Sequence, residues 1–462
     1  MPKLKRYPKV EKSVFGLFLL LMLWLPIPLG SNRPWAWAIL ELTTFTLLIA
    51  LVIFCSTSVF KSIRENKFVF ILSLLFIAAQ VITIIPLPYQ LVETLRPDRT
   101  LGVEQSLLPY LSMSFDVAQS KIALLKTVAY FCLFLLTLCL VTSSKRIKLL
   151  LLTLSLAGIV QASYGAFEVL LHTEESLIFK YNVSNIATGS FVYKNHYANY
   201  LLLTLSAALG YLIASSKFKR GSNSKREVLK YWLDFILSKK ALVRIGIVIM
   251  VIALIMSRSR MGNSAFFVAM TITSLLGLLL FKRKSRSYVY LFISLLVIDI
   301  LVVSSIFGLS EVKQRIEQTT MEKETRDEVI NDTLPILSQF MFIGSGGGTF
   351  YTLYPKVQNE KIQHFYDHAH NEYLQFATEF GWLASGILMI LALICFATSI
   401  NALRKRERQA YLGAAFTCTM AFIGMVMHSS VDFPLQAPAN AATFMVILGI
   451  GLRSRKMGGK PH

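Results

Sequence analysis

A chain of 462 residues that is 54% hydrophobic and only 16% charged is not an ordinary soluble globule. Its net charge of +21 would suit a nucleic-acid binder, but the Lys and Arg gather in short clusters between apolar runs. That is the positive-inside pattern of a membrane protein, and it excludes nucleic acid as a partner.

The apolar runs are roughly 17 to 23 residues long, enough to cross a ~30 Å hydrocarbon core as helix. The first follows a basic start, as in a signal peptide, but it carries Trp24, Pro26 and Pro28 and lacks a small-residue cleavage site. It reads as a mature helix. Basic clusters stand at Lys3 to Lys12, Lys61 to Lys67, Lys145 to Lys148, Lys217 to Arg244, Lys282 to Arg286, Arg404 to Arg408 and Arg453 to Lys460. Placing all of them in the cytoplasm demands two crossings between each consecutive pair. Hydropathy supplies about twelve helices, near residues 14–30, 35–56, 68–86, 122–142, 149–171, 197–215, 243–257, 263–281, 288–306, 376–399, 410–428 and 438–452. The expected fold is an all-α polytopic membrane protein with both termini cytoplasmic. Residues 1–306 hold helices one to nine, 307–372 form one long periplasmic loop, and 373–462 hold helices ten to twelve with a cytoplasmic tail.

The opposite side receives the remainder. A tight turn at 31–34 precedes Trp35 and Trp37, which sit at an interfacial aromatic position. Residues 87–121 form a mixed loop, and 172–196 form another, carrying His172, Lys194 and His196. A short break, Ser257-Arg-Ser-Arg-Met-Gly-Asn263, separates helices seven and eight. Within the long loop, Val312 to Leu337 has helical spacing. It ends at Gly344-Ser-Gly-Gly-Gly-Thr349, a turn before Phe350-Tyr-Thr-Leu-Tyr354. The last outer loop, Ser429 to Gln436, places Asp432 shortly after His428. No 20–50-residue repeat is visible. The five cysteines (Cys55, Cys132, Cys139, Cys395, Cys418) all lie within apolar runs and read as small buried side chains.

Chemistry concentrates at the end of the long loop. Three of the seven histidines, His364, His368 and His370, fall within seven residues, beside Asp367, Asn371 and Glu372. Ionisable side chains at the lip of a membrane segment are costly to place and mark function. Asp367, His368 and His370 offer an arrangement available to zinc, although the His-Glu-X-X-His spacing of metalloproteases is absent. Alternatively, one histidine accepts a proton, a role suited to its near-neutral pKa. His370 is favoured because the following helix places it at the membrane edge. Arg258 and Arg260 occupy a turn facing away from the basic clusters. They either snorkel to lipid phosphates or form a guanidinium fork for phosphate or pyrophosphate. Asn195 and His196 open helix six on that side, and Lys194 is a further phosphate partner. The glycine run resembles a phosphate cradle, but no Gly-Lys-Ser/Thr follows; a turn positioning Tyr351 and Tyr354 is the simpler reading. Arg326 alone is an ordinary solvated charge.

Three stretches, in order, resemble the bacterial O-antigen ligase and polymerase family of membrane glycosyltransferases. They are Gly189-Ser-Phe-Val-Tyr-Lys-Asn-His-Tyr-Ala198, then Ser259-Arg-Met-Gly262. The third is the span from Arg326 through the glycine turn and Tyr354-Pro355 to His368-Ala-His-Asn371, then nine intervening residues to Gly381. The resemblance covers about residues 185–400. It implies transfer of an undecaprenyl-pyrophosphate-linked glycan to an acceptor hydroxyl at the periplasmic face of the bacterial inner membrane, without nucleotide, metal or other cofactor. It assigns His370 as the essential histidine and Arg260 and Arg326 as the arginines, with Arg258 beside Arg260. Asn371, His368, Asp367, Lys194, Asn195, His196 and Tyr354 are supporting or substrate-binding. The acceptor is lipid A core for a ligase, a growing glycan for a polymerase, or a protein hydroxyl; segment Leu29 to Trp35 and Phe191 to Ala198 are more like polymerases of O-antigen or exopolysaccharide. Two rivals come from other classes: a twelve-helix transporter, and a metal-dependent hydrolase using His368 and His370.

Overall fold

The computed structural model describes residues 7–101, 104–183, 185–216, 239–281, 293, 328–359, 366–406 and 408–455. Arg326, His364, the expected helix at 288–306 and the clusters at 282–286 and most of 217–244 lie outside these residues.

The described chain is helical almost throughout. In order it comprises α1 (Pro8–Trp24), α2 (Pro34–Phe54), α3 (Ser56–Glu65), α4 (Lys67–Ile84), α5 (Tyr89–Leu95), α6 (Pro97–Thr100), α7 (Val117–Leu140), α8 (Ser144–Leu170), α9 (Lys194–Ala214), α10 (Lys239–Met256), α11 (Arg260–Leu280), α12 (328–340), α13 (Phe350–Leu353), α14 (Glu372–Lys405), α15 (Gln409–Ser429) and α16 (Pro438–Arg453). Among the described helices, α2, α4, α7, α8, α9, α11, α14 and α15 are long and apolar enough to cross a membrane, eight in all. Two shorter apolar helices, Ala241–Met256 and Pro438–Arg453, join them. The protein is a multi-pass membrane protein. One small departure from an all-α chain is an antiparallel pair, Leu87–Pro88 against Tyr110–Leu111, in the segment expected to be a mixed loop.

Local chemistry explains the boundaries. The first helix ends at Trp24, six residues earlier than expected from hydropathy, because Pro26 and Pro28 follow it. A 3-10 turn at Leu29–Ser31 with positive φ at Leu29, Gly30 and Ser31 then reverses the chain. Several spans start at side-chain caps: Asp116 accepts from the Gln119 amide, Ser143 from Arg146, Ser259 from Gly262 and Asn371 from Leu374.

Helix α9 is the centre of the bundle, buried at every position from Asn195 to Ala214. It packs on α8, α10, α11 and α15. Its closest approach is to α15, where Gly210 meets Gly413 and Thr417. A Cβ on Gly210 would stand 1.9 Å from Thr417 Oγ1, and one on Gly413 would stand 2.2 Å from the Gly210 carbonyl. Small residues at such a crossing let backbones touch where lipid offers no hydrophobic drive to associate. The consequence is positional: the polar start of α9, Lys194 to His196, is fixed at the middle of one end of the bundle.

Helix α14 begins four residues before the expected 376 and is interrupted at Gly381 (φ 74°, ψ 165°). The glycine turn 344–348 docks into this break. Trp382 N–H donates to the Met341 carbonyl at 2.8 Å, Ser345 N–H to Thr378 at 2.9 Å and Gly346 N–H to Glu379 at 2.9 Å. A Cβ on Gly381 would lie 2.3 Å from the Phe342 carbonyl, and one on Gly344 would lie 2.3 Å from that of Glu379. Broken helices persist at membrane depth only where protein re-satisfies the freed backbone groups, and here the glycine turn does so.

Candidate active site

Four sequence-distant segments meet where α9 begins. Asp432, in the loop between α15 and α16, is 1% exposed and accepts hydrogen bonds from Asn195 Nδ2 and, at 3.4 Å, from the Tyr193 hydroxyl. Asn195 Oδ1 in turn accepts from Ser259 Oγ at 2.7 Å. Ser259 is the cap of α11, between Arg258 and Arg260. On its other side, Asp432 Oδ1 lies 4.0 Å from His370 Nδ1. The chain of contacts Ser259–Asn195–Asp432–His370 therefore joins the arginine turn to the histidine motif. Of the residues singled out in the sequence, it unites Arg258, Arg260, Asn195 and His370 in one cluster.

The backbone prepares this arrangement. His370 and Arg258 both adopt left-handed conformations, with φ of 49° and 50°, each at a cost of about 1–2 kcal/mol for a residue with a Cβ. At His370 the reversal precedes the Asn371 cap. Both guanidinium-bearing positions, Arg258 and Arg260, are exposed, and the neighbouring Lys194 is half-buried.

Phe433 is the hub of the cluster. Its ring stacks on Tyr193 at 5.3 Å and 6°, meets His370 edge-on at 4.9 Å and His196 edge-on at 5.1 Å, and tilts against His368 at 4.4 Å. His196 Nε2 donates to the Phe433 carbonyl at 3.2 Å, and Asn440 Nδ2 donates to the His196 carbonyl at 3.0 Å. His196 thus holds the Asp432 loop in place.

The remaining motif residues are chiefly anchored within the protein. Asn371 caps α14 and donates from Nδ2 to the Ser430 carbonyl at 3.0 Å. Glu372 is buried and accepts from the Leu435 amide at 2.9 Å and from Gln436 Nε2 at 2.8 Å, tying the motif to the Asp432 loop. Gln375 Nε2 donates to His368 Nδ1 at 3.0 Å and to Glu379 Oε1 at 3.1 Å. Burial holds the His368 imidazole below its ordinary pKa, with Asp367 and the Gln375 contact pulling the other way. Asp367 is exposed, with its carboxylate 3.9 Å from His368 Nε2. Tyr354 is fully buried, stacked on Phe350 at 5.3 Å and packed with Val329, Ala369 and Leu374. Its place is a small apolar core.

The glycine turn is filled from inside the protein. Gly348 and Phe350 amides donate to the Glu379 carboxyl at 2.9 and 3.3 Å. A nest of backbone N–H groups is an anion site, and its occupant here is Glu379. Among the described residues no group of three His, Cys, Asp or Glu side chains gathers as a metal-binding set.

Beside the cluster lies a cavity of 1060 Å³. Asp367, His368, Asn371 and Glu372 line it, as do Lys126 and Trp37 from across the bundle, and most of its other lining side chains are apolar. His370 and the two arginines stand outside this lining. The sequence alone assigns no role to Asp432 and carries no short pattern that marks Phe433, Gln375 or Glu379. The only signal for Asp432 was an acid between two apolar helices.

A comparison with curated proteins returned no match. Residues 245–389 match the family model described as O-Antigen ligase, a segment that contains Arg258, Arg260 and His370. Over this segment the chain is similar to the O-antigen ligase family, membrane glycosyltransferases that handle lipid-linked glycans and acceptors.

Proposed function

We propose that the protein transfers a glycan from undecaprenyl pyrophosphate to an acceptor sugar hydroxyl at the periplasmic face of the inner membrane, as an O-antigen or exopolysaccharide polymerase. The observation that carries this reading is the contact chain Ser259–Asn195–Asp432–His370. It sets two exposed arginines and one histidine at the same end of the bundle although they are far apart in sequence. In this reading the chain crosses the membrane about twelve times with both termini cytoplasmic.

The chemistry needs little more. A glycosyl pyrophosphate carries its own leaving group, so the main requirement is to stabilise the charge that accumulates as the glycosidic bond to phosphate breaks. Arg258 and Arg260 supply fixed guanidinium groups for that charge, with Arg326 as a third. His370 takes the proton of the acceptor hydroxyl as its oxygen attacks the anomeric carbon. Asp432, 4.0 Å from Nδ1, favours the imidazolium that results. Direct displacement inverts the anomeric centre, and no metal takes part. Tyr193 and Phe433 support the acceptor side by holding the histidine rings.

The test is transfer in vitro from a defined lipid-pyrophosphate donor, with repeat unit and lipid A core offered as competing acceptors. His370→Ala is expected to abolish transfer while the protein remains inserted and abundant; retained activity would falsify the assignment. Arg260→Lys is expected to reduce transfer at least about tenfold, because an ammonium cannot reproduce a planar two-point contact. Equal activity with Lys sinks the clamp.

A further inference from the structure

We propose that Lys126 is a second lipid-phosphate seat, distinct from the arginine turn, and that the cavity beneath it takes the lipid chain of the acceptor. This rests on the glycan-transfer reading above, and it names the acceptor as a molecule carried on a lipid phosphate.

Lys126 lies within the apolar helix α7 and, among the described residues, is the only Lys or Arg lining the 1060 Å³ cavity. An ionisable side chain that faces a cavity inside a membrane span marks a ligand path. Its ammonium stands 3.8 Å from the centroid of the Trp37 ring, a cation–π contact that fixes the charge without neutralising it. Among the described residues, no carboxylate stands within ion-pair distance of it. Glu41 follows Trp37 by one turn of α2 and acts on Lys126 only at longer range.

The opposite wall does not supply the missing anion. The Glu372 carboxyl is engaged by the Leu435 amide and Gln436, that of Glu379 by Gly348, Phe350 and Gln375, and the third carboxylate of the lining, Asp367, stands beside His368 at 3.9 Å. Below the polar level the lining turns apolar, with Leu388 and Leu391 from α14 and Phe444 and Leu448 from α16. A single cation above an apolar pocket matches an anionic head on a long hydrocarbon chain. The volume of 1060 Å³ is slightly above the usual range of small-ligand sites, about 300–1,000 Å³. The arginine turn lies outside this cavity, so donor and acceptor phosphates have separate seats, with the His368–His370 motif between them.

The experiment measures binding of radiolabelled farnesyl phosphate, with farnesol as the uncharged control, to the full chain in phosphatidylcholine nanodiscs. An R258Q/R260Q background removes the turn's guanidinium groups. Farnesyl phosphate is expected to bind more tightly than farnesol, with K126Q weakening it about tenfold or more and K126R retaining it. Farnesol binding unchanged by K126Q shows that the cavity is intact. E41Q separates the seat from a structural ion pair: phosphate affinity is expected to hold or rise. Overturning results are phosphate binding indifferent to K126Q, or a loss in E41Q equal to that in K126Q. If the wild-type chain transfers no glycan yet binds phosphate through Lys126, the transfer reading falls and the seat stands. Transfer with Lys126-independent binding removes the seat alone.

Discussion

Two polar clusters sit a few residues apart along the same motif, and they are built on opposite plans. Around Glu379 the polar groups at the cavity wall pair with one another: the carboxyl fills the glycine nest, Gln375 bridges it to His368, and the helix break is sealed by the turn it receives. Around Asp432 the groups come from separate parts of the chain, and the cluster ends in two exposed arginines and a histidine in a left-handed conformation. A closed polar network rigidifies, whereas one that ends in exposed cations is open to a ligand. His368 and His370, separated by one residue, take their polar contacts one from each plan, through Gln375 and Asp432, while Phe433 touches both rings.

The sharpest way to break this contrast is at Asp432. Asp432→Asn keeps the size of the side chain and removes the charge beside His370. The expected loss of transfer is about 10²-fold or more, within the range of general-base contributions, with membrane abundance close to wild type. A pH profile distinguishes positioning from mere packing, because losing the carboxylate should move the rate-controlling histidine to lower pKa. An unchanged profile with full activity removes Asp432 from the mechanism.

The closed cluster should fail differently. Glu379→Ala strips the acceptor from the Gly348 and Phe350 amides, and a buried donor left unsatisfied costs about 1–3 kcal/mol. The expected result is a marked fall in thermal stability in detergent, with transfer per folded molecule largely kept. Glu379→Gln retains one acceptor and should recover part of the stability. If Glu379→Ala instead abolishes transfer at full stability, the nest belongs to the reaction.

What could be read beforehand follows the same division. Hydropathy and charge spacing locate the helices because both are local along the chain, and the described spans agree with most expected positions. The histidine motif, Asn195 and the arginine turn were legible through short patterns. Asp432 was not, since its partner Asn195 lies 237 residues away and an isolated acid has no periodicity to betray it. The glycine run resembled a phosphate cradle in sequence because backbone amides carry no label for what they bind; Glu379, 31 residues beyond Gly348, fills it. Tyr354 looked like a substrate contact by its place in the motif, whereas its burial against Phe350 and Leu374 makes it core.

The smallest expected effect is a pH dependence of stability assigned to His368. Its folded pKa is held below the ordinary imidazole value by burial. The unfolded chain therefore binds more protons than the folded one on the acid side, and stability rises with pH there. The contribution is fully present above the unfolded value, about 6.5, and is lost as pH falls through it toward the folded value. His368→Gln removes the titrating group while keeping a polar side chain beside Gln375. Thermal unfolding measured between about pH 7.5 and pH 5 should show a shallower acid-side decline in the variant than in the parent. An acid-side decline in His368→Gln as steep as the parent's would mean that the buried imidazole of the closed cluster does not set it, and that the pairing around Glu379 leaves His368 free of any pH-linked share in stability.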